Sequence, residues 1–167
     1  MKKITILALH LGYGGIERSI CLLANNLVNK YDVEIISTYK VCEKIPYNLD
    51  KNVKVKYLMN DKPNKQEFIN SLKKFKIINI LKEGLKSIKI LFLKKRLMVN
   101  FVKKCDSDVL ISTRDFHNSI VGKYGSNNTM KIGWEHNHHN SNKKYLNKVC
   151  NSVKNLDYFV LVSQELY

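Results

Sequence analysis

The chain is poor in the residues that interrupt or cross-link a backbone. Of its 167 residues only two are proline and seven are glycine, which argues against a disordered or collagen-like chain. The four cysteines, Cys21, Cys42, Cys105 and Cys150, lack the close spacing of a metal or redox motif, so we expect four free thiols in a reducing cytoplasm. No stretch reaches the roughly 18 apolar residues that span a membrane. These absences indicate a folded, cytoplasmic, single domain.

Acidic side chains are also scarce, with 14 Asp and Glu against 29 Lys and Arg. The imbalance is concentrated between Lys62 and Lys104, where thirteen Lys or Arg stand against two Glu, a net charge of +11. Such a segment suits nucleic acid, an anionic membrane surface or an acidic substrate. A composition that is rich in Lys, Asn and Ile throughout explains part of the same excess.

Strand and helix patterns alternate along the chain. The continuous apolar run over residues 3–9 predicts a buried strand, and the helical spacing of apolar residues over 16–29 predicts an amphipathic helix. Further strands are predicted at 32–37, 53–57, 109–112, 130–134 and 158–162, and further helices over 65–104 with a break near Gly84, 116–124 and 142–154. The alternation predicts an α/β fold, a Rossmann-like doubly wound and mostly parallel sheet of about six strands with helices on both faces.

A glycine-rich turn follows the first predicted strand and precedes the first helix. It contains Gly12, Gly14 and Gly15, and Glu17 and Arg18 come directly after it. Glycines let the backbone approach a phosphate, and the start of a helix supplies free N–H groups and positive charge, so an anion could bind there. The dinucleotide fingerprint fails because Glu17 occupies its third glycine position. The other interpretation is a tight turn in which Glu17 only favours the start of the helix.

The sequence L-G-Y-G-G-I-E-R-S at residues 11–19, followed by a helix that ends in LANNLVNKYDVEIIS, resembles the opening of family 4 (group 1) glycosyltransferases, which have the GT-B fold. Residues 30–33, Lys-Tyr-Asp-Val, stand where the family often has Gly-His-x-Val. The resemblance implies that residues 1–167 form the N-terminal, acceptor-side domain, with a C-terminal donor-binding domain absent from this chain. It also implies a nucleotide-sugar donor as co-substrate, no metal and no other cofactor.

Histidines cluster after the predicted strand at 130–134. His136, His138 and His139 lie beside Glu135, but no helical spacing places two of them on one face, so we expect a polar loop rather than a metal site. The resemblance makes His136 the catalytic candidate, as a residue that hydrogen-bonds the donor sugar. The remaining candidate substrate contacts are polar residues that follow the two strands at 109–112 and 130–134, namely Arg114, His117, Glu135 and Asn137.

The basic region contains a second candidate surface. On a helix, one face would carry Leu81, Leu85, Ile88 and Phe92, and another face would carry Lys82, Lys86 and Lys89. Residues 81–104 could therefore bind an anionic membrane surface at the inner face of the cell membrane. In the alternative, the apolar face packs on the sheet and the lysines are solvated. We expect no nucleic-acid binding, because aromatic and Arg residues are few in this region.

Two functions remain at the level of the sequence. The first is the N-terminal half of a glycosyltransferase that transfers a sugar to a saccharide or lipid-linked acceptor in bacterial surface polysaccharide biosynthesis, inactive as an isolated half. The second is a noncatalytic α/β module that docks on an anionic membrane or partner. The glycine turn and His136 carry the first hypothesis, and the basic helices carry the second.

Overall fold

The computed structural model describes residues 1–60, 63–73, 77–136 and 142–162. The elements, in chain order, are β1 (Lys3–Ala8), α1 (Gly15–Leu27), β2 (Asp32–Tyr39), β3 (Lys54–Met59), α2 (Lys65–Lys73), α3 (Ile77–Lys104), β4 (Val109–Ser112), α4 (Asp115–Tyr124), β5 (Met130–Glu135), α5 (Lys143–Val153) and β6 (Tyr158–Leu161).

The six strands form one sheet in the order β3-β2-β1-β4-β5-β6, and every neighbouring pair is parallel. In the centre, Ile6 of β1 aligns with Ile35 of β2 on one side and with Ile111 of β4 on the other. The predicted Rossmann-like doubly wound α/β fold is therefore confirmed. The chain moves outward from β1 through β2 to β3, crosses back, and moves outward again from β4 to β6.

Helices cover both faces of the sheet because its central strands are apolar on both sides. One core cluster joins Ile6 and Ile35 to Ile20 and Ala24 of α1. The other joins Leu7, Ile36 and Leu110 to α3 and α4, with Met98, Val102, Ile120 and Val121 as their buried partners. Each such side chain contributes roughly 1.5–3 kcal/mol when it leaves water. The two clusters fix the backbone of β1 and β4, and therefore the positions at which these strands end.

The predicted helix break near Gly84 is wrong. Gly84 lies inside α3, which begins at Ile77 and continues to Lys104. A single glycine costs a helix about 1 kcal/mol and does not end it when packing compensates. Here α2 packs alongside, and a Cβ on Gly84 would lie 3.7 Å from the Phe68 ring. Asn64, just before α2, donates through Nδ2 to the Glu83 carbonyl at 3.0 Å.

The interpretation in which Leu81, Leu85, Ile88 and Phe92 pack on the sheet is also wrong. These side chains are between 64% and 69% exposed. The residues of α3 that are buried are others, Ile90, Met98 and Val102. Helical periodicity indicated one apolar face on α3. It could not show that α3 has two apolar faces, or that only one of them packs on the sheet.

All four cysteines are unpaired, as predicted. Cys21 is buried, and burial raises the pKa of its thiol, with the charge of Glu17 acting in the same direction. Within the part of the chain that the structure describes, no helix is both long enough and apolar enough to cross a membrane.

Candidate functional site

The reversal of strand order between β1 and β4 leaves a crevice at their carboxyl ends. In doubly wound sheets this switch point is where ligands bind, because the loops that follow the two strands diverge to opposite faces. Here the loops are residues 9–14 after β1 and residues 113–114 after β4. The loop after β5, which begins at His136, comes next along the same edge.

The glycine loop is held by a tyrosine from a distant segment. Tyr47 accepts a hydrogen bond from the Gly14 N–H at 2.8 Å and donates one to the Gly14 carbonyl at 2.9 Å. Gly12 is buried, and a Cβ there would lie only 2.8 Å from Cγ2 of Val41. Gly15, by contrast, is exposed with open space around it. Gly12 thus needs to be glycine for a steric reason that does not hold at Gly15.

The start of α1 offers free donors at the crevice. The first helical hydrogen bond joins the Arg18 N–H to the Gly14 carbonyl at 3.1 Å. The N–H groups of Gly15, Ile16 and Glu17 therefore have no acceptor within the helix. Together with the positive end of the helix dipole, they favour an anion. Arg18 itself is exposed on α1.

Glu17 is buried beneath this helix start, with 3% of its surface exposed. Its Oε1 atom lies 3.2 Å from Nη2 of Arg114 and 3.5 Å from Nδ1 of His10. A buried carboxylate is costly unless it is paired, and Arg114 supplies the pairing charge. Glu17 belongs to the candidate phosphate loop, and in the structure its carboxylate is buried and pairs with Arg114.

Arg114 joins β4 to α4 as the residue before the helix, in an extended conformation. Its side chain is about one-quarter exposed, and its Nε atom is buried without a hydrogen-bond partner among the described residues. The guanidinium therefore has one contact with Glu17 and donors left over at the crevice. Such a group can bind a phosphate oxygen.

His136 is the first residue after β5 and is half-buried. Its ring packs on Trp134 with centroids 4.2 Å apart, and its backbone N–H donates to Oε1 of Glu135 at 2.9 Å. Burial lowers the pKa of His136, and the charge of Arg114 acts in the same direction, whereas Glu135 and Glu17 oppose it. Burial therefore favours the neutral imidazole of His136. Its buried Nε2 atom has no partner among the described residues.

Of the predicted residues, the structure brings Glu17, Arg114, Glu135 and His136 together. Glu17 pairs with Arg114 across the ends of β1 and β4, and β5, which ends at Glu135, is the next strand of the sheet. Glu135 is 5% exposed and lies under His136. Asn137 lies outside the described residues, as do His138 and His139.

His117 does not lie at the open edge, contrary to expectation. Its ring is fully buried, with Nε2 3.1 Å from the Thr38 hydroxyl. That hydroxyl donates to the Ala8 carbonyl, so it accepts the Nε2 proton of His117. Burial, followed by the charges of Lys94 and Arg114, lowers the pKa of His117 to about 3. His117 is the third residue of α4 and lies on the buried side of that helix, with Ile120 and Val121.

Sequence reasoning missed His10 and Tyr47, which shape the glycine loop. His10 accepts a hydrogen bond from the Gly12 N–H through Nδ1 at 3.3 Å. Its position directly after β1 was a usable signal, because residues at the carboxyl ends of parallel strands share one edge. Tyr47 lies in a segment without periodicity, and no local pattern indicates its contact with Gly14.

Two of the surface depressions among the described residues lie outside the crevice and contain polar side chains. One, of about 590 Å³, is formed mostly by residues 43–49 and borders the glycine loop through Tyr47. The other, of about 400 Å³, lies at the amino edge of the sheet, and four of its five charged residues form ion pairs, Lys3 with Asp106 and Lys56 with Glu34. The second depression therefore has little unpaired charge to offer a ligand.

Comparison with known proteins shows the fold and leaves the sequence family open. No family model and no curated protein matches the chain. A solved structure that is similar to it is "lipopolysaccharide outer core galactosyltransferase WaaB apo form", with 16% sequence identity and a TM-score of 0.51. The alignment covers 99% of this chain and 40% of that one, so the chain spans less than half the length of the galactosyltransferase. At this identity the likeness establishes a glycosyltransferase-like fold.

Proposed function

We propose that this chain is the acceptor-side half of a glycosyltransferase that takes its sugar from a nucleotide-sugar donor. The observation that carries the proposal is the position of Arg114, the start of α1 and His136 at the carboxyl ends of β4, β1 and β5, around the switch point of the sheet. The similarity in fold to a galactosyltransferase supports the same reaction class. The resemblance of residues 11–19 to family 4 glycosyltransferases adds a further, independent reason.

Each group has a chemical role in the proposal. Arg114 and the free N–H groups of Gly15 and Ile16 stabilise the diphosphate, on which negative charge grows as the sugar departs. Glu17 holds Arg114 in place. In the proposal, the imidazole of His136, whose neutral form burial favours, hydrogen-bonds a sugar hydroxyl. The proposal needs no cofactor besides the nucleotide-sugar donor, because Arg114 and the start of α1 supply the positive charge that stabilises the diphosphate.

A second domain would supply most of the donor contacts, and the acceptor would be a saccharide or lipid-linked saccharide of a bacterial surface polysaccharide. We therefore expect the 167 residues alone to bind a nucleotide sugar weakly and to transfer nothing. A noncatalytic module would use its basic helices and leave the crevice unused.

The test is a titration of the ¹⁵N-labelled chain with a panel of nucleotide sugars, followed by NMR. We expect shifts at the amides of Gly14, Gly15 and His136, with Arg114→Gln reducing the effect and Arg18→Gln, at a more exposed position, reducing it less. In parallel, transfer by the natural protein that contains these residues is measured with His136→Ala. Shifts confined to other surfaces, together with undiminished transfer by His136→Ala, would remove the proposal.

A further inference from the structure

The first half of α3 exposes an apolar stripe to solvent. It consists of six residues at helical spacing, Ile77, Ile78, Leu81, Leu85, Ile88 and Phe92, and is called here the α3 stripe. The exposed fractions range from 64% at Leu81 to 82% at Ile78. Single exposed apolar residues are ordinary, but a continuous row of large ones marks an interaction surface.

Neither the sheet nor α2 covers this stripe in the part of the chain that the structure describes. The contact of α3 with the sheet runs through Ile90, which packs with Tyr39 and Met59. The contact with α2 runs through Gly84, beside the Phe68 ring, and the contact with the residue before α2 runs through Glu83 and Ser87, which bond the Asn64 side chain. At 100° per residue, Glu83, Ser87 and Ile90 all lie on the side of the helix away from the stripe. The stripe is thus a second apolar face.

Cations border the stripe along one side. Lys82, Lys86 and Lys89 are exposed, and the helical spacing places them next to Leu81, Leu85 and Ile88. The whole segment from Lys62 to Lys104 carries a net charge of +11. An apolar row beside a basic row is the arrangement of helices that lie in the surface of an anionic bilayer. Two copies of so basic a segment would repel each other.

The stripe projects past the same edge of the sheet as the candidate site. Ile90 is level with the ends of β2 and β3, where Tyr39 and Met59 lie, and Lys94 is level with the first turn of α4 at Phe116. The 13 residues of α3 before Ile90 therefore extend about 20 Å beyond the carboxyl ends of the strands. The stripe and the crevice between β1 and β4 therefore lie toward the same end of the molecule.

We propose that the α3 stripe docks the protein on the anionic lipid surface at the inner face of the cell membrane. The apolar side chains enter the boundary between headgroups and acyl chains, and Lys82, Lys86 and Lys89 pair with lipid phosphates. The contact requires none of the chemistry of the candidate site and stands without the proposed function. Nucleic acid is a poorer partner, because the described part of the segment has one Arg and few aromatic residues.

The test is sedimentation of the chain with vesicles of phosphatidylcholine and phosphatidylglycerol, compared with phosphatidylcholine alone. We expect binding to the mixed vesicles only, and a decrease with salt. The triple change Lys82→Gln, Lys86→Gln and Lys89→Gln weakens binding about a hundredfold. Its matched control removes the same charge from the opposite, amino edge, through exposed lysines that precede β1, β2 and β3, namely Lys2, Lys30 and Lys51.

The apolar contribution is tested by Leu85→Gln against Leu22→Gln, which changes an exposed leucine on α1. Circular dichroism verifies that both variants fold. We expect Leu85→Gln alone to lose vesicle binding. Equal binding to neutral vesicles, or equal loss in both members of either pair, overturns the proposal. So does a dimer in sedimentation equilibrium that Leu85→Gln dissociates, because a second copy would then cover the stripe.

Discussion

The Glu17 carboxylate is buried and lies within 3.5 Å of two basic side chains, Arg114 and His10. Replacing it with alanine leaves the Arg114 guanidinium, which is three-quarters buried, without its counter-charge. We expect Glu17→Ala to lower the free energy of unfolding by about 2 kcal/mol, less than for a fully buried pair because solvent reaches part of Arg114. Urea denaturation measures the change.

The matched control is Glu43→Ala. Glu43 also pairs with a cation, Lys40, but its side chain is 96% exposed. Exposed pairs contribute little, so the control changes the free energy of unfolding by less than about 0.5 kcal/mol. If the two variants are equally stable, Glu17 does not hold Arg114 in place.

Gly14 and Gly15 are adjacent but differ in what surrounds them. A Cβ on Gly14 would overlap the Glu17 carboxylate, whereas a Cβ on Gly15 meets open space. Gly14→Ala therefore displaces Glu17 and costs about 1–2 kcal/mol, comparable to overpacking elsewhere in proteins. Gly15→Ala leaves stability unchanged or raises it by up to about 1 kcal/mol, because alanine restricts the unfolded chain. Thermal unfolding of the two variants measures their stabilities. A Gly14→Ala variant that is more stable than Gly15→Ala would contradict the prediction.

His117 is buried in its neutral form, and its environment contains Lys94, Arg114 and Asp115. Its pKa of about 3 in the folded protein lies below the ordinary value of 6.5. Between these values only the unfolded chain binds the proton, so stability falls as the pH is lowered through this range. We expect a loss of about 1.5 kcal/mol from this group between pH 6.5 and pH 5.

His117→Asn removes the titrating group and keeps a polar side chain opposite Thr38. Urea denaturation at pH 6.5 and at pH 5 gives the pH dependence of each protein separately, whatever their absolute stabilities. The variant should lose less stability than the parent over this interval. An identical pH dependence in both would show that His117 is not the group responsible.

At the scale of elements, α3 and β5 each contain a glycine, and the two glycines differ in the space that is available to a Cβ. In α3 a Cβ on Gly84 meets the Phe68 ring at an ordinary contact distance of 3.7 Å. In β5 a Cβ on Gly133 would lie 2.7 Å from Cδ1 of Leu156 and 3.0 Å from Cδ2 of Phe159. We expect Gly84→Ala to stabilise the protein by up to about 1 kcal/mol through helix propensity. Gly133→Ala should destabilise it by about 1–3 kcal/mol, and urea denaturation tests both.

The strands and the helices show what sequence patterns can predict and what they miss. Short apolar runs predicted the strands at the centre of the sheet, which are buried on both faces, and the alternation of Val53, Val55 and Tyr57 predicted β3 at its edge. The boundary between α2 and α3 was missed because Gly84 has a low helix propensity but packs against Phe68, a contact 16 residues away in sequence. The exposure of the α3 stripe was equally inaccessible, since periodicity identifies faces and not what lies against them.

The candidate site also has features that the sequence could predict and features that it could not. Arg114 and His136 were predictable because they directly follow strands, and the topology brings strand ends to one edge. The pairing of Glu17 with Arg114 could not be predicted, because the two residues are 97 positions apart in sequence. The hydrogen bonds of Tyr47 to Gly14 span 33 residues and depend on how an irregular segment returns to the sheet.

At the scale of the whole molecule, the crevice and the α3 stripe share one edge of a strongly basic protein. The net charge of +15 attracts anions over distances longer than any single contact, at low salt most of all. A nucleotide sugar and an anionic lipid would both approach this surface with electrostatic assistance. The two proposals are nevertheless separable, because Arg114 lies in the crevice and Lys86 lies on the projecting part of α3.

The stacking of His136 on Trp134 has an optical consequence. Trp134 is the chain's one tryptophan, and its ring centroid is 4.2 Å from that of His136. Any molecule that contacts this imidazole alters the electronic surroundings of the indole. The intrinsic fluorescence of the unlabelled protein therefore reports occupancy of the crevice, with His136→Ala as the variant in which the emission no longer responds.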